Sequence, residues 1–274
     1  MPTIDSSGTS IYYTVVGEGP SLLMLMGFGV DQTGWMLQVP FLSKHFQCVL
    51  VDNRGIGRSD APSGPYSMQQ MVNDSVAVLD VCGIEKAHVL GLSMGGMIAL
   101  NLALSHADRV DGLILACTTA HLGAFGEETI AAVGQRVGLD LRVEDPDELA
   151  DVDMEAVAQE LVALSFSDAM RQQSGALIDS LVKQALQWMP TPQVLHAQHA
   201  AIREHNVSDL LGTIAKRTLA ITAELDQLIP PSHGEHLAAH IPHAELLRFD
   251  GAGHAINFER SQEFNQAVYH FLCA

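Results

Sequence analysis

Short apolar runs alternate with longer stretches of helical periodicity through the first 118 residues. "SIYYTVV" (10–16) alternates as a half-buried strand does, whereas "SLLMLMG" (21–27), "QCVLVDN" (47–53), "KAHVLGL" (86–92) and "VDGLILAC" (110–117) are continuous apolar runs. Continuous runs of this length suit strands buried on both faces, as in parallel sheets. Between them, Met68, Met71, Val72, Val76 and Leu79 share one helical face in a stretch that ends at Gly83, and "MGGMIALNLALSHADRV" (94–110) reads as a second helix. From residue 119 to 213 no strand run occurs; "RVEDPDELADVDMEAVAQELVAL" (142–164) and "MRQQSGALIDSLVKQALQWMP" (170–190) read as helices. Strand signals return in "RTLAITA" (217–223) and "AELLRFD" (244–250), and "SQEFNQAVYHFL" (261–272) closes as a helix. The succession predicts an α/β chain with a mostly parallel, doubly wound sheet. Its core spans 1–118 and 214–274, and residues 119–213 form a helical cap or lid insertion.

The serine in "HVLGLSMGGMIAL" (88–100) sits where an apolar strand gives way to a helix. Gly91-Leu92-Ser93-Met94-Gly95 is G-x-S-x-G in a strand–turn–helix context, which holds a serine Oγ exposed at a strand tip above a helix N-terminus. Helix-end N–H groups favour developing negative charge, so Ser93 is the candidate nucleophile. A serine needs a base, and the base needs an orienting acid. In the order Ser…acid…His, Asp226 after "RTLAITA" and His254 in "GAGHAINFE" fill those places, both beyond strand ends. Glu224 and Asp250 compete with Asp226 as the acid. The N–H groups of Met94 and Phe28 are the candidate oxyanion donors, with Gly27 letting the "MGFG" loop approach. Gly27, His121 and Trp188 are expected to contact substrate. No H-E-x-x-H or comparable spacing occurs among the 13 histidines, so neither metal nor cofactor is expected.

Composition narrows the partners. Hydrophobic residues make up 47% of the 274, enough for a sizeable core. The net charge of −18, from 32 acidic and 14 basic residues, repels polyanions, so no nucleic-acid or membrane partner is expected. No run of about 18 apolar residues and no leader pattern is present. Cys48, Cys82, Cys117 and Cys273 are scattered without CxxC spacing. The expectation is a cytoplasmic protein, monomer or homodimer, with a small-molecule partner.

Together "MGFG", "DNRGIGRS", "GLSMGG", Asp226 before "LIP", and "GAGHAINFE" resemble the α/β-hydrolase fold superfamily over about residues 10–272. "APSGPYSMQQMVNDSVAVLD" followed by "GLSMGGMIALNLALSHADRV" is similar to the 3-oxoadipate enol-lactonase and esterase group. The resemblance implies a serine hydrolase cleaving a small ester or lactone through an acyl-enzyme, with "DNRGIGRS" a structural turn. Met26 stands where many relatives have histidine, and Ala223 where a glycine commonly precedes the acid. Two other readings stay open. One is a C–C bond hydrolase of ring-cleavage products, whose members tend to have asparagine where this chain has Leu92; the other is a ligand sensor on the same fold. A carboxylate-bearing substrate would need a basic cap residue; Arg136, Arg142 and Arg171 are available, though each also reads as a solvated helix charge. Leu122, Phe125, Phe166, Met170, Leu181, Trp188 and Met189 supply an apolar cap, which favours uncharged acyl groups.

Overall fold

The computed structural model describes residues 2–123, 134–149 and 151–274; Phe125 of the expected cap lies outside them. Eight strands, β1 (Thr3–Ser6), β2 (Thr9–Val16), β3 (Ser21–Leu25), β4 (Gln47–Val51), β5 (Ala87–Leu92), β6 (Val110–Ala116), β7 (Arg217–Ala223) and β8 (Ala244–Phe249), form one sheet. Their order is β1-β2-β4-β3-β5-β6-β7-β8. The first two pairings are antiparallel and the rest parallel. β1 carries no apolar run, and it owes its place to a tight turn through Ser7 and Gly8, both at positive φ.

The parallel strands bury both faces, as their continuous apolar runs require. Leu23, Leu25, Val49, Val51 and Val89 point into one core, while Leu22, Met24, Cys48, Leu50 and Leu90 point into the other. The first core receives α1 (Met68–Val81), closed at its start by a Ser67–Gln70 capping box, and α2 (Met94–Ser105). The second receives Trp35, Phe46 and the aromatic face of the C-terminal helix, Phe264 and Phe271.

Between β6 and β7 the chain is helical: α3 (Met154–Ser165), α4 (Gly175–Gln187) and α5 (Pro192–Glu204). Two helices are shorter than their periodicity suggests. The acidic stretch becomes α3 only at Met154, where the Asp153 carboxylate accepts from the Glu155 and Ala156 N–H groups, because such a side chain competes for helix-start donors. The 170–190 stretch breaks at Ser174, so Asp168–Gln173 forms a separate turn before α4. α5 is bound into the main fold, since its Val194, Ala197, Ala201 and Ile202 lie in the first core beside Met97 and Leu100.

Where β5 passes into α2 the chain turns through Ser93 at φ 57 and ψ −122. This turn forces backbones together, and only glycine fits its flanks. A Cβ on Gly95 would stand 2.0 Å from the Leu25 carbonyl oxygen, and one on Gly91 2.3 Å from that of Gly95. Gly95→Ala is therefore expected to destabilise the fold by about 3 kcal/mol, the upper end of overpacking costs. For a chain of this size that lowers Tm by roughly 5–10 °C. Calorimetry checks this, and an unchanged Tm would mean that β3 and α2 separate freely.

Candidate active site

Ser93 is anchored through its backbone. Its N–H donates to the Ala116 carbonyl at 2.9 Å, and its carbonyl accepts from the Thr118 hydroxyl at 2.7 Å. The loop after β3 lies directly against it: a Cβ on Gly27 would meet Ser93 Cβ at 3.0 Å and Ser93 Oγ at 3.5 Å. That loop is held by the Asn53 amide, which donates to the Met26 carbonyl at 3.0 Å.

After β7 and β8 two more loops meet. The Leu225 N–H donates to the Ala252 carbonyl at 2.9 Å, bringing Asp226 beside His254. His254 Nδ1 and Asp226 Oδ2 lie 2.7 Å apart, and both side chains are buried. The Leu228 and Ile229 N–H groups donate to Asp226 Oδ1 at 2.9 and 2.8 Å. That carboxylate is the natural acceptor of an Nδ1 proton, which leaves Nε2 as the unprotonated ring nitrogen. Glu224 turns elsewhere, accepting from the Gly251 N–H and facing Arg248; Asp250 is exposed and also faces Arg248. Of the three carboxylates weighed, Asp226 is the one bound to the imidazole.

Ser93 and His254 line a cavity of about 190 Å³. Gly27, Phe28 and Trp188 line it too, under a cap wall that includes Phe166, Leu181 and Met189. His121 does not reach it. This residue closes the base of the cap instead, in an isolated bridge to Asn206, with its N–H on the Thr119 hydroxyl at 3.0 Å. Lying near the start of the insertion, it pairs with Asn206 near the insertion's end rather than lining the cavity. Among the described residues, no lysine or arginine lines it. The three arginines weighed as anchors are engaged outside the cavity: Arg136 with Glu160, Arg142 with Asp140, and Arg171 with Asp168.

Two contributors have no sequence motif. Glu259 accepts from the Ser167 N–H at 2.6 Å, the Ser167 hydroxyl at 2.7 Å and the Gly253 N–H at 3.1 Å, tying the cap to the loop of His254. Cys117, at φ 45 just beyond β6, lies next to Asp226, and burial keeps its thiol protonated far above the ordinary range. Cys117, Asp226 and His254 present possible metal-ligating atoms within 4.8 Å of one another. The 2.7 Å between Asp226 and His254 is shorter than the roughly 3.3 Å separating two ligands of one tetrahedral ion at bond lengths near 2.0 Å, so the arrangement fits a shared proton better.

Residues 20–261 match the α/β hydrolase fold family. The chain belongs to it. Within this family a protein named as a carbamate hydrolase, RutD, from Caulobacter sp. (strain K31) is 28% identical over 98% of this chain and 97% of its own length. A 2-hydroxy-6-oxononadienedioate/2-hydroxy-6-oxononatrienedioate hydrolase from Comamonas testosteroni is 30% identical over 98% of this chain and 94% of its own. Among solved structures, the enol-lactonase from Burkholderia xenovorans LB400 superposes with a TM-score of 0.84 at 27% identity, covering all of both chains.

One histidine near the base of the cap has a different job from His254. His205 is buried, with Nε2 3.1 Å from the Thr119 carbonyl and Nδ1 3.1 Å from the Asn101 amide nitrogen. Both contacts suit a neutral ring, and burial lowers its pKa from 6.5 to about 4. The unfolded chain therefore binds this proton first as pH falls. The associated stability is complete above pH 6.5 and is lost down to about pH 4, on the order of 3 kcal/mol in all. Urea unfolding across this range checks it: His205→Gln should flatten the acid limb, and an unaltered slope would assign the acid sensitivity elsewhere.

Proposed function

We propose that the protein is a serine hydrolase for a small, uncharged carboxylic ester or lactone, using Ser93, His254 and Asp226 as a catalytic triad. The observation that carries this reading is the meeting of a strained serine turn and a carboxylate-bound imidazole at one apolar cavity. Ser93 Oγ attacks the carbonyl carbon while His254 Nε2 takes its proton; the imidazolium then delivers that proton to the leaving oxygen. Asp226 stabilises the imidazolium through Nδ1. Water repeats the sequence on the acyl-enzyme and releases the acid. Negative charge on the tetrahedral oxygen is met by the N–H groups of Phe28 and Met94, the latter one of the helix-start donors without an intrahelical partner. Gly27 keeps the first of these loops close, Trp188 forms part of the substrate wall, and residues 119–213 act as the cap. No cofactor takes part.

The substrate class follows from the wall. Burying an unpaired carboxylate costs several kcal/mol, and no lysine or arginine among the described residues lines the cavity. The net charge of −18 acts the same way during encounter. A C–C bond hydrolase is the second reading, favoured by the 30% identity to the Comamonas testosteroni enzyme. That relative's dioate substrate is doubly acidic, which suits this cavity poorly. No helix among the described residues is long and apolar enough to cross a membrane. The four cysteines are free, in keeping with a reducing, cytoplasmic setting.

Ser93→Ala should fold normally and lose about 10⁴–10⁶ in kcat toward a p-nitrophenyl ester. Substantial turnover by the folded variant would overturn the nucleophile. Asp226→Asn should lower kcat strongly while Glu224→Gln leaves it near normal; the reverse result would transfer the acid's role to Glu224. A neutral lactone should show a higher kcat/KM than a matched one bearing a free carboxylate, in low and in high salt alike. Preference for the charged substrate, or faster cleavage of a vinylogous C–C bond than of any ester, would move the protein to the second reading.

A further inference from the structure

The "DNRGIGRS" turn holds a residue that reaches the cap. The Arg58 guanidinium lies 4.3 Å from the centroid of the Trp188 ring and 5.0 Å from that of Tyr12. Tyr12 is buried in β2, so one face of this sandwich belongs to the core, while Trp188, at the end of α4, belongs to the cap and lines the cavity. Arg58 is fixed from below as well. Its N–H donates to Asp52 Oδ2 at 3.0 Å, and its guanidinium stands 3.8 Å from the same oxygen. Asp52 is fully buried and spends its other oxygen on the Gln32 backbone and side-chain N–H groups. The neighbouring carboxylate is Asp31, itself a cavity-lining residue.

We propose that Arg58 is a positioning residue for substrate size: by clamping the Trp188 indole against the core, it fixes the cap wall of the cavity and so limits the acyl group that fits. The clamp deepens the hydrolase reading and rests on it for the word substrate, though not for the contact itself. A planar cation between two aromatic rings is attracted to both π faces, and the attraction is larger where water is partly excluded. Lysine retains the charge for Asp52 but lacks the flat guanidinium that stacks on both rings. With the clamp released, Trp188 is free to rotate from the wall, which admits longer chains at the expense of grip on short ones.

The chain has two tryptophans, and Trp35 is fully buried in the core, so changes in acrylamide quenching report on Trp188. Arg58→Met should raise quenching and increase the ratio of kcat/KM for p-nitrophenyl octanoate over acetate by about 3- to 10-fold, chiefly through KM. Arg58→Lys should fall between the two proteins, and it serves alone if the methionine variant does not fold. In a Trp188→Ala background Arg58→Met should leave the ratio unaltered, since the clamp has no second jaw. Unchanged quenching in a folded Arg58 variant, or an equal selectivity change without Trp188, overturns the proposal. Raised quenching with no ester turnover by any of these proteins would sink the hydrolase reading and leave the clamp standing.

Discussion

The geometry of the site depends on one close approach of backbones. For Ser93 to stand at positive φ, the end of β5, the start of α2 and the end of β3 must come nearer than any side chain permits. Gly91, Gly95 and Gly96 are the positions that yield the space, against Gly95, Leu25 and Thr118 respectively. A non-glycine residue at positive φ is costly and persists only when its surroundings over-determine it. Here they do so through the Ala116 carbonyl and the Thr118 hydroxyl on β6's side, and the close approach of Gly27 on the other. The same compression presses the "MGFG" loop onto the serine, so the position of Ser93 and of the loop opposite it are one constraint.

Much of this was legible because the relevant residues announce themselves by spacing. Glycines around a serine at a strand–helix junction have few other uses, and seven of the eight strands fall on runs that the sequence displays, the six parallel ones among them. Glu224 is not excluded by the strand, since β7 ends at Ala223; it is excluded by its turn to the Gly251 N–H and Arg248, while Asp226 reaches His254. His121 misled because nearness to the start of an insertion is a statement about sequence, and the bridge to Asn206 holds it at the cap's root. Glu259 and Arg58 could not be read at all. Their partners, Ser167 and Trp188, lie 92 and 130 positions away, and a charged residue on a short turn looks the same whether it meets water or a distant loop. Ser174 shows a local limit: its helix break interrupts no periodicity that the sequence displays.

The cavity and the surface pull in opposite directions electrically. Acidic residues outnumber basic ones more than twofold, yet the wall around Ser93 is built largely from Phe, Leu, Met and Trp side chains. Arg136, Arg142 and Arg171 neutralise their own acidic neighbours on the outside. Negative potential is thereby left to the solvent face, and the interior near the imidazole stays weakly polar, a setting in which oriented N–H dipoles act with least screening.

The ties between the cap and the loop of His254 carry a thermodynamic consequence. The Ala255 N–H donates to the Ser165 carbonyl at 2.7 Å, and Glu259 accepts from both Ser167 and Gly253. Separating Ser165 and Ser167 from this loop would remove their bonds to Ala255 and Glu259, so the packing of that segment and the ordering of the His254 loop share a free-energy term. Such coupling is reciprocal. A molecule that fills the cavity and holds that segment against the loop would stiffen the imidazole beside it, and its loss would leave the ring less firmly held. Water entering without substrate would then meet a histidine whose supporting loop had lost part of its hydrogen bonding.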